Sequence, residues 1–197
     1  KETLHKWSYG FFPLLFIIGI IALLIFFQPD ISAAATIILI GGIMFFIAGG
    51  KFSQIVIVLL FVAVAGLIIF NISDTASTRV TDYWNGLQNP QNASDHVKWS
   101  LEAIINGGIF GVGIGRSTTK FIGLPVATTD SIFAVLTEET GIVGGIVVIG
   151  LFVALLWRGL YIAVQGHDNL GKWLAGGISL WIFIEAIINI GVLLNLL

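Results

Sequence analysis

Asp130 stands immediately before an apolar run, Ser131-Ile132-Phe133-Ala134. Desolvation at such a helix start makes a carboxylate a usable general base near neutral pH. The same position suits a helix N-cap, and spacing alone leaves both readings open. Glu138 and Glu139 face a similar choice between chemistry and simple solvation at a helix mouth. Arg79, Lys98, Arg116 and Lys120 are the cations that could hold a departing diphosphate, or each could pair with a neighbouring carboxylate. Asp30, after Pro29, either caps the following helix, a task it shares with Ser32, or faces a cavity. Trp181, Glu185 and Asn189 recur at i, i+4 and i+8, one stripe of a helix. An ionisable group within an apolar helix is costly, so Glu185 marks a pathway or a pairing. The text from Gly107 to Gly115 looks like a phosphate-binding glycine loop, but no strand precedes it and no βαβ unit follows. Its other reading is a close-packed re-entrant turn, where glycine lets backbones approach one another or a ligand.

These groups must be positioned by a chain that is 57% hydrophobic and 10% charged, with mean hydropathy +1.01. A soluble domain of this size could not hide such a surface from water. A formal net charge of −2 leaves no basic face for a nucleic-acid backbone. The absence of cysteine excludes disulfides and thiolate metal sites, and His5, His96 and His167 are too far apart for ligand spacing. Apolar runs predict membrane-spanning helices at about 8–28, 32–49, 53–72, 142–163 and 173–196, hence an all-α, polytopic bundle in a single membrane domain. Lys1, Lys6, Lys51, Arg158 and Lys172 all fall beside short connections on one side, which the positive-inside rule makes cytoplasmic. Residues 74–140 then form a net acidic extracytoplasmic loop. Its roughly 65 residues exceed what a connection needs, which marks it as functional. Trp84, Trp99, Ile104, Ile105, Phe110 and Phe133 give it the mass to fold back on the bilayer surface or into the helix bundle, with an interfacial helix near His96–Asn106. The start at Lys1 without a cleavage site gives no signal peptide and reads as a fragment.

The order of the motifs resembles the SEDS family (shape, elongation, division and sporulation), which includes the RodA-like and FtsW-like polymerases. The residues that carry it are Gln28-Pro29-Asp30, Arg79, Asn89-Pro90 with Asp95, and Ser100-Leu101-Glu102-Ala103-Ile104. They continue with Gly107-Gly108-Ile109-Phe110-Gly111-Val112-Gly113-Ile114-Gly115-Arg116-Ser117, Lys120, Leu124-Pro125, Thr129-Asp130-Ser131-Ile132-Phe133-Ala134, Glu138-Glu139-Thr140-Gly141 and Asn189-Ile190-Gly191-Val192. The sequence departs from the family pattern at Ile31-Ser32, at Lys98-Trp99, at Val126-Ala127-Thr128 and at Glu185.

The resemblance implies a ten-span protein of which this chain supplies the fifth to ninth spans, in the cytoplasmic membrane of a bacterium. It implies a peptidoglycan glycosyltransferase that polymerises lipid II for elongation or division, with Asp130 as the catalytic acidic residue. Arg79, Lys120 and Arg116, with Glu138, Glu139, Asp30 and Asn189 around them, would form the substrate and diphosphate site. A divalent cation, Mg²⁺ or Mn²⁺, would share the charge of the departing undecaprenyl diphosphate. A class B penicillin-binding transpeptidase is the expected protein partner, beside membrane lipids. A lipid-linked precursor flippase would instead use Glu185, Asn189 and Asp30 as pathway groups. A non-catalytic cell-wall scaffold would need none of them.

Overall fold

The computed structural model describes residues 10–27, 31–72, 74–119 and 131–196, and among them every regular element is a helix. The chain divides between residues 72 and 73 into two compact units.

The first unit holds α1 (Phe12–Phe26), α2 (Ile31–Ile47) and α3 (Phe52–Ile72). None carries a charged residue, so these helices have no polar face to give to water. α1 packs on α2, where Gly41 makes room for the Ile18 side chain and Phe11 meets Phe45 at a ring-centroid distance of 5.8 Å. The turn into α3 is defined by hydrogen bonds at both helix ends. Gly49, at φ +100°, and Gly50 donate to the carbonyls of Phe46 (2.9 Å) and Phe45 (3.0 Å), closing α2 in a Schellman arrangement. At the start of α3 the Gln54 side chain accepts from the Lys51 N–H at 2.9 Å, the return half of a capping box.

The second unit runs through α4 (Asp74–Gln88), a 3-10 turn (Pro90–Asn92), α5 (Asp95–Gly107), α6 (Ile132–Gln165) and α7 (Asn169–Leu193). α5 covers the expected helix near His96–Asn106 and extends it by one residue at each end. Two further stretches of the 74–140 segment are also helical. α4 mixes Asp74, Arg79 and Asp82 with Val80, Trp84 and Leu87, so average hydropathy passes over it. α6 begins at Ile132, ten residues before the apolar run at Ile142. α4 meets the end of the chain, with Tyr83 Oη donating to the Leu196 carbonyl at 3.5 Å and Gly86 facing Ala93 and Asn195.

Burial is inverted relative to a protein in water. Many buried positions of this unit are small or polar, Ala103 and Ala134 between α5 and α6 with Ser100, Ser131, Thr137 and Ser179, while Val97, Ile190 and Leu193 are its larger buried apolar side chains. Ile146, Leu151, Trp157, Leu174 and Ile178 face outward. Bulky side chains outside and small ones at helix contacts are what lipid requires, because it rewards close backbone packing and not apolar burial. α6 and α7, of 34 and 25 residues, are each long and apolar enough to cross a bilayer. They form an antiparallel hairpin whose turn is capped by Asp168, accepting from Gly171 N at 2.8 Å. Their contact runs through Gly159 against Ser179 and Gly176 against Ala163.

A side chain at 159 would occupy the space of Ser179, whereas Gly150 has nothing within 4 Å of a Cβ position. Gly159→Leu should therefore cost about 1–3 kcal/mol through overpacking and lower the melting temperature of the purified full-length protein. Gly150→Leu should leave that temperature unchanged.

Candidate functional site

α6 is broken at Gly141, which adopts φ +76°, ψ −178°. Thr137 and Thr140, just before the break, turn their hydroxyls back onto the carbonyls of Phe133 (2.8 Å) and Leu136 (2.7 Å), a pattern that bends helices. The break frees backbone groups on both sides, and the glycine segment after α5 takes them up. Val112 and Gly113 donate to the carbonyls of Glu138 and Glu139, each at 3.0 Å. Ile142 and Val143 donate in turn to the carbonyls of Gly108 (2.9 Å) and Ile109 (3.3 Å). Four hydrogen bonds thus splice a non-helical segment into an interrupted helix.

Glycine is required for this at two places above all. A Cβ on Gly111, at φ +81°, would collide with the Glu139 carbonyl, and one on Gly141 would collide with the Ile109 carbonyl. Each obstacle is backbone, which has no rotamer to move aside. The glycine run is the close-packed turn, and its approach is to the backbone of α6.

Glu138 is the polar counterpart of the splice. Its side chain is 1% exposed. One carboxylate oxygen accepts from Ser117 Oγ. The other accepts from Thr119 Oγ1 at 2.8 Å and, at longer range, from Thr118 N (3.3 Å) and Thr118 Oγ1 (3.4 Å). Ser117 and Thr119 are buried with it. A buried carboxylate is tolerated only when donors replace water, and here three consecutive residues supply them. Seven residues before Glu138, buried Ser131 approaches His96 Nδ1 at 3.4 Å, tying the start of α6 to the first turn of α5. Buried Thr119, on Glu138, and buried Ser131, beside His96, are the described residues on either side of positions 120–130.

The other expected site residues are placed as follows. Asp130, Lys120 and Asp30 lie outside the described residues. Arg116 directly precedes the Glu138-bound triplet and is exposed, with its N–H on the Gly113 carbonyl at 3.1 Å. Arg79 is exposed on α4. Glu139 is half-buried beside the break. Asn189 is half-buried on α7, while Glu185 and Trp181 on the same stripe are exposed. Lys98 pairs with Asp95 at 3.3 Å on the α5 surface, the pairing alternative for that cation. Among the described residues no group of three or more His, Cys, Asp or Glu could hold a metal ion.

Sequence reasoning passed over Thr118 and Thr119 and gave Ser117 no role, since isolated hydroxyls carry no signal. The available clue was a run of three hydroxyl residues enclosed by Arg116 and Lys120 in an otherwise apolar context.

A family model described as "Cell cycle protein", covering FtsW, RodA and SpoVE, matches residues 1–197. The chain belongs to this family. Among its relatives are the stage V sporulation protein E of Bacillus subtilis, 37% identical over 100% of this chain and 54% of that protein. A probable peptidoglycan glycosyltransferase FtsW of Coxiella burnetii is 35% identical over 98% of this chain and 52% of its own length. One from Geobacter sp. strain M18 is 32% identical over 100% and 54%. This FtsW/RodA/SpoVE chain thus spans about half the length of the curated relatives it matches. Membership in the family and the apolar helices together make it a membrane protein.

Two substitutions test the splice. Gly141→Ala forces a Cβ into the Ile109 carbonyl at a positive φ, and should cost about 1–3 kcal/mol in thermal unfolding of the full-length protein. Glu138→Ala strands the buried hydroxyls of Ser117 and Thr119, at about 1–3 kcal/mol for each group left unmatched. Hydrogen exchange followed by mass spectrometry should show faster exchange across 112–119 in both variants; unchanged protection would contradict the geometry.

Proposed function

We propose that the full-length protein is a multi-pass peptidoglycan glycosyltransferase of the bacterial cytoplasmic membrane that polymerises lipid II into glycan strands. The observation that supports this reading most is the pair of buried polar contacts made by the sequence neighbours of Lys120 and Asp130. Thr119, next to Lys120 in the chain, is held on buried Glu138, and Ser131, next to Asp130, is buried beside His96. A general base must be held within hydrogen-bond reach of the proton it removes, and fixing the residue next to Asp130 serves that demand. The names of the Coxiella and Geobacter relatives point the same way.

In the proposed reaction Asp130 accepts the proton of the sugar 4-hydroxyl on one lipid-linked disaccharide. That oxygen forms a bond to the anomeric carbon of the growing chain with inversion, while the bond from that carbon to the diphosphate oxygen breaks. The electron pair leaves with undecaprenyl diphosphate, whose charge is met by Lys120, Arg116 and Arg79. Glu138 enters as the buttress of the segment, its carboxylate being taken up by Ser117, Thr118 and Thr119. Glu139 and Asn189 are the further polar groups of this unit proposed to meet the sugar. A class B penicillin-binding transpeptidase is the proposed partner that cross-links the product.

Asp130→Asn in the full-length protein should lower polymerisation of purified lipid II in liposomes by about 10²–10⁴-fold, the usual worth of a general base. Its melting temperature should stay at the wild-type value. A fully active Asp130→Asn protein removes the assignment, and translocation of lipid II without polymer would favour a transporter.

A further inference from the structure

The tip of the glycine segment has a surface the catalytic reading does not use. Ile109 is 62% exposed, Phe110 85% and Ile114 87%, and Ile105, at the end of α5, is 75% exposed beside them. From Ala103 to Gly115 no residue is charged, and Asn106 is the single polar side chain. Exposed Glu102 and Arg116 bracket the stretch.

We propose that this tip is inserted into the acyl chains of the bilayer leaflet at the Gly141 end of α6, as a non-helical membrane anchor beside that span. The proposal stands independently of the glycosyltransferase reading. Three observations carry it. Irregular backbone is excluded from hydrocarbon unless its polar groups are satisfied within the protein. Here five backbone groups of the segment meet that demand: the N–H groups of Gly111, Val112 and Gly113 donate to the carbonyls of Gly107, Glu138 and Glu139, and the carbonyls of Gly108 and Ile109 accept from Ile142 and Val143. Those last two bonds also place the tip directly against the first turn of the apolar half of α6. Ile142, Val143, Ile146 and Val147 are exposed there, so the tip continues a face that itself has to meet lipid. Finally, helix contacts within membranes select small residues. The small ones, Gly107 and Gly111, are turned toward the α6 backbone, and the outward face is bulky aliphatic and aromatic.

The test uses the full-length protein in phosphatidylcholine liposomes with single cysteines on a cysteine-free background. NBD is placed at Phe110→Cys, Ile114→Cys and, as an exposed control on α4, Asn85→Cys. Lipids with a doxyl group on the acyl chain should quench the probes at 110 and 114 at least threefold more than the probe at 85. Aqueous iodide should show the reverse order. Iodide quenching at 110 and 114 equal to that at 85 would place the tip in water and overturn the proposal. Shielding from both quenchers would show another span or partner covering it, and would overturn it equally. A Phe110→Trp protein, read as extra quenching by brominated lipids over the wild type, gives the same decision if either labelled protein aggregates.

Discussion

In hydrocarbon, a backbone amide or carbonyl without a partner costs several kcal/mol, which is why spans are continuous helices. α6 departs from that rule at Gly141, and the second unit is arranged to absorb the departure. The carbonyls released at Glu138 and Glu139 and the amides released at Ile142 and Val143 are taken up by a segment that comes from the end of α5. The need for direct backbone contact fixes glycine at 111 and 141. It also fixes where α5 must stop, because Gly107 already lies against the Thr137 and Glu138 backbone.

The polar interior follows from the same splice. Once the glycine segment has crossed the break, the chain passes Ser117, Thr118 and Thr119 beside the Glu138 side chain, whose own carbonyl is already engaged by Val112. Glu138 is thus held through both its backbone and its carboxylate. Around it α5 and α6 touch through Ala103, Ala134, Ser100 and Ser131, and most large side chains of α6 are left for lipid. Stability in such a bundle rests on close approach and matched hydrogen bonds, which makes glycine and hydroxyl positions more sensitive than most of its leucines.

Much of the helical framework was legible from hydropathy, because long uncharged runs have few folded alternatives. α4 was not, since a polar helix with apolar residues at Val80, Trp84 and Leu87 averages to nothing in a hydropathy window. The glycine run was readable as a close-packed turn, but not as the partner of a broken helix, since Gly111 and Gly141 are joined only in space. Burial of Glu138 was hidden for a similar reason. Its donors lie 19 to 21 residues earlier, and an acidic pair before an apolar run reads from sequence as the solvated mouth of a helix. The prominence of Asp130 came from motif resemblance and not from any pattern of spacing.

The splice also imposes an order on biosynthesis. Residues 107–113 leave the ribosome roughly 30 residues ahead of the Glu138–Val143 groups they will bond, a lag of about 1.5–6 s at ordinary elongation rates. Throughout that interval the nascent segment has amides and carbonyls with no protein partner, so it has to wait in water or at the translocon wall. Its docking consequently waits until Val143, at the start of the following apolar stretch, has been made.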